Sequence, residues 1–232
     1  MLKTLAFSKI SPEQSLLGKM ATTSPKKVAL IIGSTRAIRA GPTVVDFVQK
    51  ILLSSPSAPK VEFSIIDIAT FNLPVFNERI LPAMVPAYGQ FEHEHSKAWS
   101  AAIAPFDGYI FVAPEYNFGT PGGLKNAIDY LYSEWIGKPV FIVTYGIHGG
   151  NSTSDSLKAT LRGMKLRVVE TRPQLKYAGP GMDEMMVASS TGKVGPNSLK
   201  LWEDEGKEPL LKGFGELIEL LETPVAEPEK KE

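Results

Sequence analysis

Three times along the chain a short, nearly continuous apolar run ends in a loop of glycine, proline or small polar residues, and apolar positions at helical spacing follow. The runs are Lys27-Val-Ala-Leu-Ile-Ile-Gly33, Tyr109-Ile-Phe-Val-Ala113 and Lys138-Pro-Val-Phe-Ile-Val-Thr-Tyr145. A strand that is apolar on both faces must be covered on both, which is the situation of a central strand in a parallel sheet. Parallel neighbours need crossover connections, and the helical patterns between the runs supply them. Val61–Asp67 and Leu166–Thr171 read as two further strands. The expectation is an α/β fold, a doubly wound five-stranded parallel sheet with helices on both faces.

At 232 residues the chain has room for one large domain with a substantial core. We place it at residues 26–222, between a disordered leader, 1–25, and a proline- and charge-rich disordered tail, 223–232. Lys and Arg total 25, as do Asp and Glu, so no net field points to nucleic acid or an acidic membrane surface. The absence of cysteine excludes a disulfide framework, a thiol nucleophile and a thiolate metal site. No apolar run approaches the roughly 20 residues that span a bilayer. The leader carries Lys3, Lys9 and Lys19 against Glu13 but no arginine or continuous apolar stretch, so a secretory signal is not expected. We expect a cytoplasmic protein, with organelle targeting as the lesser alternative and Met20 as a natural start for a shorter form.

The loops hold the chemistry. After the first run, Gly33-Ser-Thr-Arg-Ala-Ile-Arg-Ala-Gly41 leads into a helix starting at Pro42 or Thr43, with Val44, Phe47, Val48, Ile51 and Leu52 on its inner side. The hydroxyls of Ser34, Thr35 and Thr43, the guanidinium groups of Arg36 and Arg39 and the free amides of a helix start together suit an anion. The loop is neither a Walker loop nor a G-x-G-x-x-G turn. After the second run, Pro114, Glu115, Tyr116, Asn117 and Phe118 form a loop before a helix capped by Thr120, with Pro121 first and Leu124, Ala127, Ile128, Leu131 and Trp135 inward. Two flat rings beside hydrogen-bonding groups suit a planar heterocycle with polar edges. The third loop, Tyr145-Gly-Ile-His-Gly-Gly-Asn151, contains glycines that let backbone approach a ligand. A helix with Leu157, Thr160, Leu161 and Met164 follows.

Elsewhere the signals are plainer. The proline-broken segment Leu73–Gln90 reads as a long surface connection. A helix is expected from Phe91 to Phe106, facing inward with His95, Ala98, Trp99, Ala102, Ile103 and Phe106. Two apart on that helix, His93 and His95 would point in different directions, which argues against a shared metal. Lys176–Lys207 reads as an excursion able to fold over a site or a partner. A last helix begins at Pro209 with Leu211, Phe214, Leu217, Ile218 and Leu221 inward.

In open α/β sheets ligands sit outside the carboxyl ends of the strands. A ligand spanning the three loops would set an anion at the first and a flat ring at the second and third. A single phosphate joined to a planar polar heterocycle describes FMN better than FAD.

The loops Gly33-Ser-Thr-Arg36 and Pro114-Glu-Tyr-Asn117, continued through Pro121-Gly-Gly-Leu-Lys-Asn-Ala-Ile-Asp129, resemble the NADPH-dependent FMN reductase family of flavodoxin-like folds, most closely its fungal quinone and azo reductase members. The resemblance covers about 27–175 and the last helix. It implies that Ser34, Arg36 and the following helix start hold the FMN phosphate, that Glu115–Phe118 pass along the ring edge largely through backbone groups, and that Tyr145 and Gly146 border the other side. Arg39 stands where relatives often have a polar or basic residue, and Gly41-Pro42 where several have a small polar one. The implied reaction is a ping-pong exchange, in which NADPH or NADH reduces bound FMN and leaves before a small-molecule acceptor, such as a quinone, azo compound, free flavin or metal oxyanion, takes the electrons. His148 and the amides of Gly146–Gly150 are candidates for the pyrimidine edge. A homodimer or higher homo-oligomer is implied too, and the helices carrying Trp99 and Trp135 offer apolar content for its surface. The chain has no nucleophile elbow, G-x-S-x-G, which sets a hydrolase aside. A flavodoxin-like electron carrier and a flavin-dependent regulatory protein stay open as alternatives.

Overall fold

The computed structural model describes residues 24–223. The expected leader and tail lie outside the described residues except for Ser24, Pro25 and Thr223. Six parallel strands form one sheet: β1 (Lys26–Ile32), β2 (Val61–Asp67), β3 (Gly108–Pro114), β4 (Pro139–Gly146), β5 (Arg167–Val168) and β6 (Gln174–Lys176). Their order is β2-β1-β3-β4-β5, with β6 also paired to β4. The helices are α1 (Gly41–Leu53), α2 (Glu94–Ile103), α3 (Gly122–Asp129), α4 (Asn151–Gly163), α5 (Asp183–Thr191), α6 (Pro196–Leu201) and α7 (Lys207–Glu222).

The apolar runs land where their two-sided character requires. Val28, Ala29, Leu30 and Ile31 are fully buried, and so are Ile110, Val112, Ile142 and Val143. Even-numbered residues of β1, Val28, Leu30 and Ile32, pack with α1 and α7, whereas Ala29 and Ile31 pack with α2, α3 and α4. Burying each large aliphatic side chain contributes roughly 1.5–3 kcal/mol. The doubly wound α/β expectation therefore holds, with one modification at the fifth strand.

That strand is broken in two. β5 pairs Val168 with Val140 and β6 pairs Gln174 with Thr144, so five residues, 169–173, stand opposite three, 141–143. Thr171 turns its amide away to the Glu216 carboxylate on α7, and Pro173 has no N–H to give the ladder.

Other local expectations change. Thr120 does not cap α3: Pro121, held extended, is the residue before the helix, and the Thr120 hydroxyl meets Ser156 instead. The helix stops at Asp129, so Leu131 and Trp135 reach the core from the turn that follows. α2 starts at Glu94, and Ser96, Trp99 and Ile103 make its inner face while Ala98 is exposed. His93 is extended backbone ahead of the helix, so the helical spacing argument fails and its ring stacks on His95 at 5.1 Å. α7 begins two residues before Pro209, with Leu210 rather than Leu211 fully buried. Trp99 and Trp135 are themselves buried inside the chain. No helix among the described residues is long and apolar enough to cross a membrane.

Candidate functional site

The strand order reverses between β1 and β3, which is the switch point of this topology. Register brings Ile32 beside Val112, Pro114 beside Tyr145 and Gly146 beside Lys176, so the loops after β1, β3, β4 and β6 leave the sheet along one edge. Between them lies a cavity of about 540 Å³. Arg36 and Arg39, the run Pro114–Phe118, and Tyr145 with Gly146 line it, as does His148.

The β1 loop is rich in unused donors. The amides of residues 34–39 find no acceptor among the described residues, and the α1 N-terminus follows directly. The Ser34 hydroxyl is fully buried beside Tyr145 and makes no hydrogen bond of acceptable geometry. Such an orphan in a loop of free amides marks a place for an acceptor. Arg39 is committed elsewhere, since one arm of its guanidinium pairs with Asp67 at the end of β2 and the other donates to the Arg36 carbonyl at 2.9 Å. It braces the loop as well as bordering the cavity. Thr43 and Ser34 do not line the cavity, and the Thr43 hydroxyl donates to the Gly192 carbonyl at 3.0 Å.

The β3 loop closes as a tight hairpin. Tyr116 and Gly119 exchange both backbone hydrogen bonds, at 3.1 and 3.0 Å, around Asn117 and Phe118, whose φ angles are 48° and 59°. Left-handed backbone at both central positions is the type I′ arrangement, easy for asparagine but strained for phenylalanine. Phe118 is 83% exposed where it borders the cavity. Glu115 turns its carboxylate to the start of α4, accepting from the Ser152 amide at 2.9 Å and the Thr153 amide at 3.3 Å. Its side chain is thereby spent on capping, and its amide donates to the Tyr145 carbonyl at 3.1 Å.

The β4 loop turns through Gly149 and Gly150, at φ 80° and 81°, and exposes Ile147 and His148 at its tip. Three phenols line the cavity. Burial is the main cause in each case: it raises Tyr116 against the pull of Arg36, lifts Tyr145 far above the ordinary phenol range, and pushes Tyr177 up to about 12. All three are neutral hydrogen-bond donors in neutral solution.

Ala40, Tyr177, Met185, Ala188 and Ser189 complete the wall and were missed by sequence reasoning. Tyr177 could have been found, because it follows a strand end at the same sheet edge as Tyr145. The α5 residues carried no comparable signal.

A donor-lined anion pocket joined to an aromatic slot at the switch point of a 2-1-3-4-5 sheet defines a flavodoxin-like, FMN-type oxidoreductase. Residues 26–175 match the NADPH-dependent FMN reductase family. The chain is 49% identical over 200 residues to an NAD(P)H-dependent FMN reductase of Nectria sp., covering 85% of this chain and 98% of that one. It is 36% identical over 214 residues to another of that description from Schizosaccharomyces pombe, covering 92% and 97%. Among solved structures, the flavoenzyme NAD(P)H:(acceptor) oxidoreductase FerB of Paracoccus denitrificans superposes with a TM-score of 0.56 at 20% identity, over 82% of this chain and 97% of that one. The chain belongs to the NADPH-dependent FMN reductase family, oxidoreductases that work with FMN and NAD(P)H.

Proposed function

We infer that this protein binds FMN in the switch-point cavity and uses it to pass electrons from NAD(P)H to small-molecule acceptors, quinones foremost, by a ping-pong exchange. One observation carries the reading: a single cavity has the donor-rich β1 loop on one side and the strained aromatic turn of residues 116–119 on the other. The free amides of residues 34–39 and the Arg36 side chain would hold the phosphate. The backbone of Glu115–Phe118 would run along the ring, and Tyr145 and Gly146 would border its other side. FMN, when bound, supplies the redox chemistry by accepting a hydride from NAD(P)H and giving up the electrons at the same face. The chain's part is orientation. Exposed Ile147 and His148 amides, free of acceptors among the described residues, stand ready as donors where negative charge builds. Phe118, open to solvent, is placed to stack on an incoming flat substrate. Azo compounds and free flavin fit the same planar requirement. A homo-oligomer in the cytoplasm completes the reading, supported by the family resemblance and the neutral charge balance.

The test is the absorption spectrum of the purified protein with its released chromophore identified, followed by NADPH consumption with a quinone. A yellow protein that releases FMN and turns over is expected. A colourless protein that takes up no added FMN overturns the reading, and bound FMN without turnover favours an electron carrier or a flavin-dependent regulatory protein.

A further inference from the structure

The excursion after β6 builds the wall of the cavity opposite the sheet edge, and it is anchored at both ends. At the amino end of α5, Glu184 accepts from the Ser198 hydroxyl at 2.9 Å, the Ser198 amide at 3.3 Å and the Asn197 side chain at 3.0 Å. At the carboxyl end, Gly192 takes a left-handed conformation at φ 74° and ends the helix, leaving its last carbonyls without helical partners. One of these reaches the β1 loop, where Ser189 O accepts from Arg36 Nη2 at 3.2 Å, and just past the helix Gly192 O accepts from the Thr43 hydroxyl in the first turn of α1. The negative end of α5 therefore points at the loop where an anion would sit, an unfavourable approach unless a cation stands between them. Arg36 is that cation. It spends one donor of five on α5, and the cavity lies between its loop and Ala188 and Ser189, so a phosphate there would meet Arg36 from the other side.

We propose that Arg36 bridges the cofactor phosphate and the carboxyl end of α5, so that α5 is a clasp tightened by the phosphate and slowing release of FMN. The inference rests on the reading of the cavity as an FMN site. Each partner fixes the guanidinium for the other, and the ordering cost is met once for both.

Hydrogen exchange over residues 183–192 tests it, with the protein free, saturated with FMN, and exposed to riboflavin, which lacks the phosphate. FMN slows exchange there by about tenfold, because the phosphate fixes the guanidinium that already donates to Ser189 O, while riboflavin leaves it near the free rate and Arg36→Met abolishes the difference. Glu184→Gln, off the cavity, loosens the far anchor, so FMN leaves several-fold faster from that variant with riboflavin release unchanged. Equal exchange with FMN and riboflavin, faster exchange with FMN, or unchanged FMN release from Glu184→Gln overturns the clasp alone. Failure to take up FMN at all overturns the FMN reading, and the clasp falls with it.

Discussion

A Cβ on Gly41 would stand 2.3 Å from the hydroxyl oxygen of Ser34 and 2.8 Å from Ile32 Cγ2. The first residue of α1 and the first polar residue after β1 are therefore pressed together, and the buried hydroxyl keeps its place only because Gly41 has no side chain.

Gly41→Ala is accordingly predicted to destabilise the protein by about 1–3 kcal/mol, the usual range for overpacking a filled interior. Ser34→Gly should recover about 1 kcal/mol of that loss in the double variant, since the Ile32 contact remains. Urea unfolding of the four proteins in the cycle measures the coupling, and additive losses would show that the two residues do not press on each other.

Phe118 should trade stability for function. The type I′ turn wants glycine at its second central position, and Phe118 holds φ 59° there while exposing its ring. Phe118→Gly is predicted to raise unfolding free energy by about 1 kcal/mol through relief of left-handed strain, and to lower kcat/KM with a quinone. Loss of stability would mean that the ring packs in solution. Unchanged kcat/KM would remove it from the substrate face.

How far the chain could be read in advance depends on what each signal measures. The loops after β1, β3 and β4 were legible because an apolar run followed by turn chemistry depends on residues adjacent in sequence, and the cavity lining from Pro114 to Phe118 came with them. The break between β5 and β6 was not, because it depends on Thr171 finding Glu216 on a helix 45 residues away. α5 was illegible for another reason. Met182, Met186 and Val187 are exposed while Ala188 is buried, so its apolar residues do not mark its inner face. The engagement of Arg39 by Asp67 and of Thr43 by Gly192 is likewise a tertiary fact, which spacing within the loop does not contain.

Glu115 offers a check on the division between side chain and backbone. Its carboxylate caps α4, so Glu115→Ala should cost about 1 kcal/mol of stability, the usual value of a lost helix cap. FMN affinity in the conservative Glu115→Gln variant should stay within about twofold of the parent, because the carboxylate is engaged by the Ser152 and Thr153 amides. Fluorescence titration with FMN measures this, and a loss beyond tenfold would give the side chain a direct role.

Glu78, a buried residue, ties the long connection before α2 to that helix. It accepts from the amides of Glu92 at 2.9 Å and His93 at 3.0 Å. Burial alone would raise its pKa, but these two amides, the His93 charge and the nearby Ser96 hydroxyl, which makes no hydrogen bond of acceptable geometry, together outweigh burial and hold it below the ordinary carboxylate value. A carboxylate whose folded pKa is depressed adds stability that is complete above its unfolded value, about 4.3, and is lost as pH falls through the folded one. Glu78→Gln should therefore lower stability at pH 7 by about 1–2 kcal/mol, from the loss of charge-assisted bonds to two amides just ahead of α2. The gap between parent and variant should narrow as pH drops below about 4. Urea unfolding between neutral pH and pH 3 follows it, and a gap independent of pH would place the cost in packing instead of in the charge.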